Sequence, residues 1–329
     1  MLRTTFPRPR QPRLMHATAK TSSPFRRSAS PIARASHHTL DAISASRRGF
    51  LKGSASVVLA SGLGSTLLSA CGGGLDADLP ETPHLASVSN FRDLAGVGAG
   101  YLTVDGKRVR RGAFYRANVL TLSSADQASI DKLGIASVYD LRTPGEIART
   151  DDVLPGGAIA QTLNVLGISD FVTPVLDTAD AAVAFMESQA RAYVTGAAQR
   201  AAYGTLLTHL AEGAGAQLFH SNAGKDRAGW VAALLLSIAN VPLDVITQDY
   251  LLSNTYLVAS INAQTETLRT QDGEAAVTIQ MPLLEVQEAY LQAGFDQVQS
   301  SYGTMANYLT RGLGMPQTTI DMLRSRLVS

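Results

Sequence analysis

The chain has 329 residues, 45% of them apolar, one cysteine and a formal charge of +1 that hides two unlike parts. Residues 1–71 carry 11 Lys and Arg against the single acid Asp41, whereas the remainder carries 17 Lys and Arg against 26 Asp and Glu. An acidic body behind a basic leader argues against nucleic acid as a partner, because phosphate backbones are bound mainly by a Lys/Arg surplus.

In chain order the leader comes first. Residues 44–74 read SASRRGFLKGSASVVLASGLGSTLLSACGGG, with Arg47 and Arg48 ahead of an uncharged run from Gly53 to Ala70 that ends at Cys71. This resembles a twin-arginine signal peptide joined to a bacterial lipoprotein box, Leu68-Ser69-Ala70 leading into Cys71. On that reading Cys71 is lipidated, and the body is exported and tethered, facing the periplasm or the cell surface. An uncleaved membrane anchor is the alternative, although 18 residues broken by Gly and Ser are short for a hydrocarbon core of roughly 30 Å. The Arg/Ser/Pro-rich stretch before Arg47 reads as a long n-region or as an early start, with Met15 as a second candidate; a transit peptide shares this composition. Residues 72–88 have no periodic apolar face and read as a flexible tether with a reach of about 20–25 Å. The folded domain is then expected over 89–329.

Within the body, residues 101–117 place two β-prone runs around Asp105-Gly106 and predict a hairpin. Residues 122–134 predict a helix with a Ser124…Gln127 capping box and a stop at Gly134. Residues 135–142 predict a buried strand, and 178–212 one or two helices. The strand Gln217 to His220, a loop, and a helix from about Ala228 follow. Pro242 predicts the start of a helix through Leu252. Further helices are expected over 281–293, 295–310 and 316–328, broken at Gly294, Gly312 and Gly314. Strands alternating with helices imply an α/β layer fold with a mainly parallel sheet and extra C-terminal helices.

The chemistry concentrates in QLFHSNAGKDRAGWVAALLL, residues 217–236. Backbone N–H groups of a tight loop at a helix N-terminus converge on one concavity and carry positive partial charge. Gly224 lets the backbone approach an oxyanion closely. Arg227 can grip two phosphate oxygens with its fork, and Lys225 adds a point charge at the rim. The nucleotide-binding P-loop pattern fails, because Asp226 follows Lys225. The nucleophile-elbow pattern fails too, because Phe219 and Ala223 flank Ser221 where glycines are required. A body with three histidines (His84, His209 and His220) and no cysteine argues against a Cys/His metal centre, and no Asp-rich calcium loop is present. No cofactor and no metal enter this reading.

Taken with NFRDLAG (90–96), FYRANVL (114–120), VYDLRTPGE (138–146), DYLLSNTYL (249–257) and the tail around 302–315, the loop resembles the atypical bacterial tyrosine-phosphatase family, whose loop reads His-Cys-x-x-Gly-Lys-Asp-Arg-Thr-Gly. The resemblance covers roughly residues 85–328 and implies the Cys-dependent phosphatase fold. It also implies activity on phosphotyrosine, in some relatives on phosphoserine/threonine or phosphoinositides. The implied partner is a phosphotyrosine protein or another phosphoester ligand. Carried over, Arg227 holds the phosphoryl group, and Asn222, Ala223, Gly224, Lys225, Asp226 and Arg227 line the cradle. Lys225 and Asp226 flank the pocket, and His220 braces the loop from the strand end. Asp140 is the implied general acid, or alternatively a structural partner of Arg142. Arg92 and Asp93 support the loop, or form a salt bridge holding the N-terminal segment. Helices around 178–212 correspond to a lid in some relatives, or are simply core.

Two departures bear on activity. Ser221 stands where the resemblance implies a cysteine thiolate, and a serine hydroxyl in the same field stays neutral and needs an adjacent base. His220 is its neighbour, but successive strand residues face opposite ways. Ala228 stands where the pattern has Thr or Ser. Retained anion binding with weakened or lost turnover is the physical expectation, and a weakened phosphatase and a phospho-ligand binding module both remain open.

Overall fold

The computed structural model describes residues 82–329. The leader, with Arg47, Arg48 and Cys71, and the first part of the tether lie outside the described residues.

Five strands among the described residues form one sheet: β1 (Arg92–Asp93), β2 (Phe114–Ala117), β3 (Ile135–Asp140), β4 (Ile159–Thr162) and β5 (Ala216–His220). Their order is β1-β2-β5-β3-β4. Only β1 runs antiparallel to its neighbour, so the sheet is mainly parallel, as expected for an α/β fold of this class. The helices are α1 (Ser124–Ile130), α2 (Pro144–Arg149), α3 (Ala179–Thr195), α4 (Ala197–Glu212), α5 (Arg227–Ile238) and α6 (Leu243–Tyr256). After them come α7 (Val258–Asp272), α8 (Glu274–Leu284), α9 (Glu288–Tyr302), the short α10 (Met305–Asn307) and α11 (Gln317–Leu327). Among the described residues no helix is long and apolar enough to cross a membrane.

Strand alternation explains the two-sided core. Phe114, Tyr139 and Phe219 face the larger cluster, built on α4, α5 and α11, while Tyr115, Val138 and Leu218 face a smaller one with Ile130 and Leu85. The central strand β5 is buried throughout, which is why its sequence carries no polar alternation. Ala117, His220 and Asp140 lie in register across β2, β5 and β3, so the C-terminal ends of three parallel strands open at one edge. Ligands of open α/β sheets bind at that edge.

Five local expectations change. The tether expected over 72–88 does not reach residue 88, because Leu85 and Val88 are buried in the smaller core and the Ser87 amide donates to Asp126 Oδ2 at 2.8 Å. The hairpin over 101–117 is reduced to a single bridge between Leu102 and Arg108, and Val109, whose amide still donates to Tyr101 O at 2.9 Å, is also bridged to Val328. The cap of α1 is Ser123, whose Oγ accepts from the Asp126 amide at 3.2 Å, one residue before the expected Ser124. Gly294 does not break a helix: it lies inside α9, where a Cβ would come within 2.7 Å of Trp230 Cζ3, so the glycine serves a close approach. The break falls at 285–287 instead. Between the expected helices stands α7, which sequence periodicity did not show: only Ile261 and Thr265 of its 15 residues are buried.

Candidate functional site

The loop Ser221 to Asp226 joins β5 to α5 at the open edge of the sheet. Three consecutive loop carbonyls are tied outward. Asn222 O accepts from the Val119 amide at 3.1 Å, Ala223 O from Asn90 Nδ2 at 2.9 Å, and Gly224 O from Arg116 Nη2 at 2.7 Å. A planar trans peptide points its N–H opposite its C=O. The amides of Ala223, Gly224 and Lys225 therefore turn to the concave side. Among the described residues, the amides of Asn222 to Asp226 meet no acceptor. Unpaired, convergent N–H groups at a helix N-terminus are a site for an anion.

Gly224 is required for this curve. Its φ is +69°, and a Cβ there would lie 2.2 Å from the Ala117 carbonyl oxygen.

Arg227, the first residue of α5, meets Glu146 end-on. Nη1 to Oε2 and Nη2 to Oε1 are both 2.6 Å, and Nη1 also reaches Leu141 O at 3.3 Å. Glu146 is itself fixed by a capping box at the start of α2: the Thr143 amide donates to Oε2 at 2.9 Å and Thr143 Oγ1 accepts from the Glu146 amide at 3.3 Å. Burial works to raise the Glu146 carboxyl, but the Arg227 hydrogen bonds and charge and the Thr143 contacts outweigh it and hold it below its ordinary value. The guanidinium is thus pre-oriented at the mouth of the loop.

Lys225 Nζ lies 3.0 Å from Asp226 Oδ1 and 3.2 Å from Glu285 O, at the end of α8. Ser221, Lys225, Asp226 and Arg227 all line a cleft of about 930 Å³, whose opposite wall is α7 and α8. The helices facing the loop are therefore these two rather than the pair over 178–212. Of that pair, α3 contributes Met186, Gln189 and Tyr193 to a side recess of about 100 Å³ beside Asp226 and Arg227. Helix α4 is core.

Behind the loop the other sequence candidates gather into two buried clusters. In the first, Asp140 does not line the cleft. It binds the Arg142 guanidinium with Oδ1 at 2.9 Å from Nε and Oδ2 at 2.8 Å from Nη2, while Nη2 also reaches Asp152 Oδ2 at 2.6 Å. His220 Nε2 stands 3.3 Å from the same Asp152 oxygen, on this side of the sheet and away from the cleft. Asp140, Asp152 and His220 come close enough to resemble a cation site, and the Arg142 guanidinium already supplies a cation to both carboxylates. Burial works to raise the Asp152 carboxyl, but the His220 contact, the Leu120 amide and the Arg142 charge hold it down.

In the second cluster, Arg92 does not pair with Asp93, its neighbour on β1. Arg92 donates Nη1 to Asn90 Oδ1 at 2.5 Å and Nη2 to Asp249 O at 3.1 Å, with its Nε 3.6 Å from Asp249 Oδ1. Asp93 faces the other way and accepts from the Ala95 and Gly112 amides at 2.9 and 2.8 Å. Asp249 also takes Arg116 Nη1 at 3.1 Å and the Tyr101 hydroxyl at 3.2 Å. The segments NFRD, FYRAN and DYLLSNT thus form one support for the loop. Glu146, Asn90, Arg116, Asp152, Asp249 and Asn118, whose Oδ1 accepts from the Asn90 amide at 2.9 Å, are the site residues that sequence reasoning missed. Each lies within or just beyond a segment already singled out, but only the fold brings them to one edge.

No base reaches the Ser221 hydroxyl. Among the described residues Oγ makes no hydrogen bond, and its residue is only 2% exposed.

Comparison with known proteins agrees with this geometry. The tyrosine phosphatase family model matches residues 83–329. A Cupriavidus necator protein named among the tyrosine-protein phosphatases is 34% identical over 255 residues, covering 72% of this chain and 90% of its own. The triple specificity protein phosphatase PtpB of Mycobacterium tuberculosis is 30% identical over 285 residues, covering 74% of this chain and 98% of its own. Almost the whole described body, with the loop and both clusters behind it, falls inside the matched span, and the chain belongs to the tyrosine phosphatase family.

Proposed function

We propose that this chain is an exported, lipid-tethered member of the family that binds phosphoryl groups in the loop 220–228, with turnover weakened or lost. The observation that carries the binding half is the outward pinning of the Asn222, Ala223 and Gly224 carbonyls, which leaves their partner amides free for an oxyanion. Arg227, whose two terminal nitrogens meet Glu146 end-on, has its Nε edge left to offer the anion a charged donor. The side recess, walled by Leu166, Phe171, Phe185, Met186, Tyr193 and Leu283, offers an apolar seat for an aromatic group next to that guanidinium. This favours a phosphotyrosine protein, or a related phosphoester, as ligand.

The chemical half rests on Ser221. In the family's pattern a thiolate sits here, with a pKa lowered by the loop amides and the arginine. Ser221 lacks a base within reach, and Ala228 offers no hydroxyl to assist. The loop then binds what it does not readily cleave, and the protein works as a phospho-ligand binding module. A slow phosphatase is the second reading. It is favoured by Asp226, the carboxylate that lines both the cleft and the recess and is placed to protonate a leaving phenol. Asp140, clamped by Arg142 behind the loop, takes the structural role.

Export and tethering are supported by Arg47, Arg48 and the Leu68-Ser69-Ala70-Cys71 box. Calorimetric titration of the full-length chain with orthovanadate tests the binding half. Saturable binding that is lost in Arg227→Met is expected, and no binding by the native chain contradicts the proposal.

A further inference from the structure

The front of the loop is electrically balanced: Arg227 faces Glu146, and Lys225 faces Asp226. The support behind it is not. Arg92 and Arg116 share the single carboxylate of Asp249, and all three side chains are buried. The other groups near Arg116 are neutral: Tyr250 beside it, and Tyr101, whose hydroxyl donates to Asp249. Among the described residues no second carboxylate pairs with either guanidinium; Arg92 Cζ lies 5.2 Å from the Tyr256 ring centroid, a neutral contact that leaves the charge excess in place. Leaving a buried charge uncompensated is costly, so such an arrangement calls for an anion.

We propose that this buried cation excess sets the anion affinity of the loop, with Arg116 as a positioning residue that acts through the Gly224–Lys225 peptide. The inference rests on the phosphoryl-binding reading above. Arg116 donates Nη2 to Gly224 O, and the opposite end of that peptide is the Lys225 amide, which faces the concave side. A charge-assisted bond at the carbonyl polarises the peptide and strengthens its N–H as a donor. The same guanidinium fixes where Gly224 sits, and the Gly229 position on α5 is close to it as well, with a Cβ there lying 3.2 Å from Nη2. Burial pulls the Arg116 pKa down to about 9, with the neighbouring Arg92 charge acting in the same direction and Asp249 opposing, so the group is still cationic at neutral pH. A bound dianion would relieve both the repulsion between the two guanidiniums and the excess charge.

A purely structural support and an electrostatic one make opposite predictions for Asp249. An asparagine at that position keeps the two shorter contacts, with its oxygen towards Arg116 and its amide towards the Tyr101 oxygen, gives up the longer one to Arg92 Nε, and removes the one carboxylate that pairs with the two guanidiniums among the described residues. The experiment is calorimetric titration of orthovanadate into the full-length chain and three variants, each checked for native circular dichroism. Arg116→Gln is expected to weaken binding about tenfold or more, Arg116→Lys to stay within about threefold, and Asp249→Asn to tighten it about threefold or more. Weaker binding in Asp249→Asn, or unchanged binding in Arg116→Gln, would overturn the inference while leaving the phosphoryl-binding reading intact. Absence of vanadate binding by the native chain would overturn both. If Arg116→Gln does not fold, the direction of change in Asp249→Asn decides.

Discussion

Arg227 and Glu146 meet through two parallel hydrogen bonds of 2.6 Å, across 81 residues of sequence, at the mouth of a loop whose amides are otherwise unpaired. The pair fixes the plane in which the guanidinium meets a phosphoryl group, and its neutrality leaves the loop peptides and the buried arginines behind them to attract the anion. Orientation and attraction are therefore carried by different residues, and they are separable by mutation.

Glu146→Gln tests the orienting half. In a Ser221→Cys background it is expected to lower kcat for a phosphotyrosine peptide about tenfold or more, while vanadate affinity changes less, because the lost orientation is offset by the lost negative charge. Stability is expected to fall by about 3–5 kcal/mol, as for other broken buried pairs. The Glu146 carboxyl is held below its ordinary value in the fold, so its contribution is present above that value and is lost as acid protonates it. Urea unfolding at several pH values should show an acid limb that Glu146→Gln removes.

Gly224→Ala tests the curve of the loop. A residue with a Cβ at φ +69° costs at least about 1–2 kcal/mol, and overlap with the Ala117 carbonyl adds to it. The expected result is a melting temperature lower by roughly 5 °C or more and loss of vanadate binding. Unchanged binding would show that the loop does not need this conformation.

Asp93 gives a pH signature of opposite sign to Glu146. Burial pushes its carboxyl from 3.8 up to about 6, against the Ala95 and Gly112 amides and the Arg111 charge. Between those values the folded chain binds a proton that the unfolded chain releases, so stability falls as pH rises through the window and levels off above it. The change is about 3 kcal/mol in size. Asp93→Asn should flatten the curve between about pH 4 and 6, which chemical denaturation at pH 4.5 and 7 measures.

The sequence made the loop legible because a strand, a glycine, two cations and a helix stand side by side within 217–236. It also placed β3, β5, α5 and α11 closely: the first three carry stretches of buried residues, and α11 buries Ile320, Leu323 and Leu327 at helical spacing. The supports were not legible as such. Nothing local in PGE marks Glu146 as the partner of Arg227, and Arg116 and Asp249 lie 133 residues apart before the sheet and α6 bring them together. Helix α7 was hidden because it lies on the surface over the cleft and buries almost none of its face. Gly294 misled for a related reason: a glycine chosen for contact with Trp230 looks in sequence like a helix stop. Gly294→Ala should accordingly destabilise the fold by about 1–3 kcal/mol through overpacking, rather than extend a helix and stabilise it. Thermal unfolding distinguishes the two.

The central claim is that the cradle is intact and that Ser221 limits the chemistry. The most direct measurement is hydrolysis of a phosphotyrosine peptide by the full-length native chain and by Ser221→Cys, side by side. The account predicts that the native chain binds without measurable turnover and that the thiol variant gains at least about 10³-fold. Comparable turnover by the native chain and by Ser221→Ala would contradict it and would move the chemistry to another group at the cleft, with Asp226 first in line.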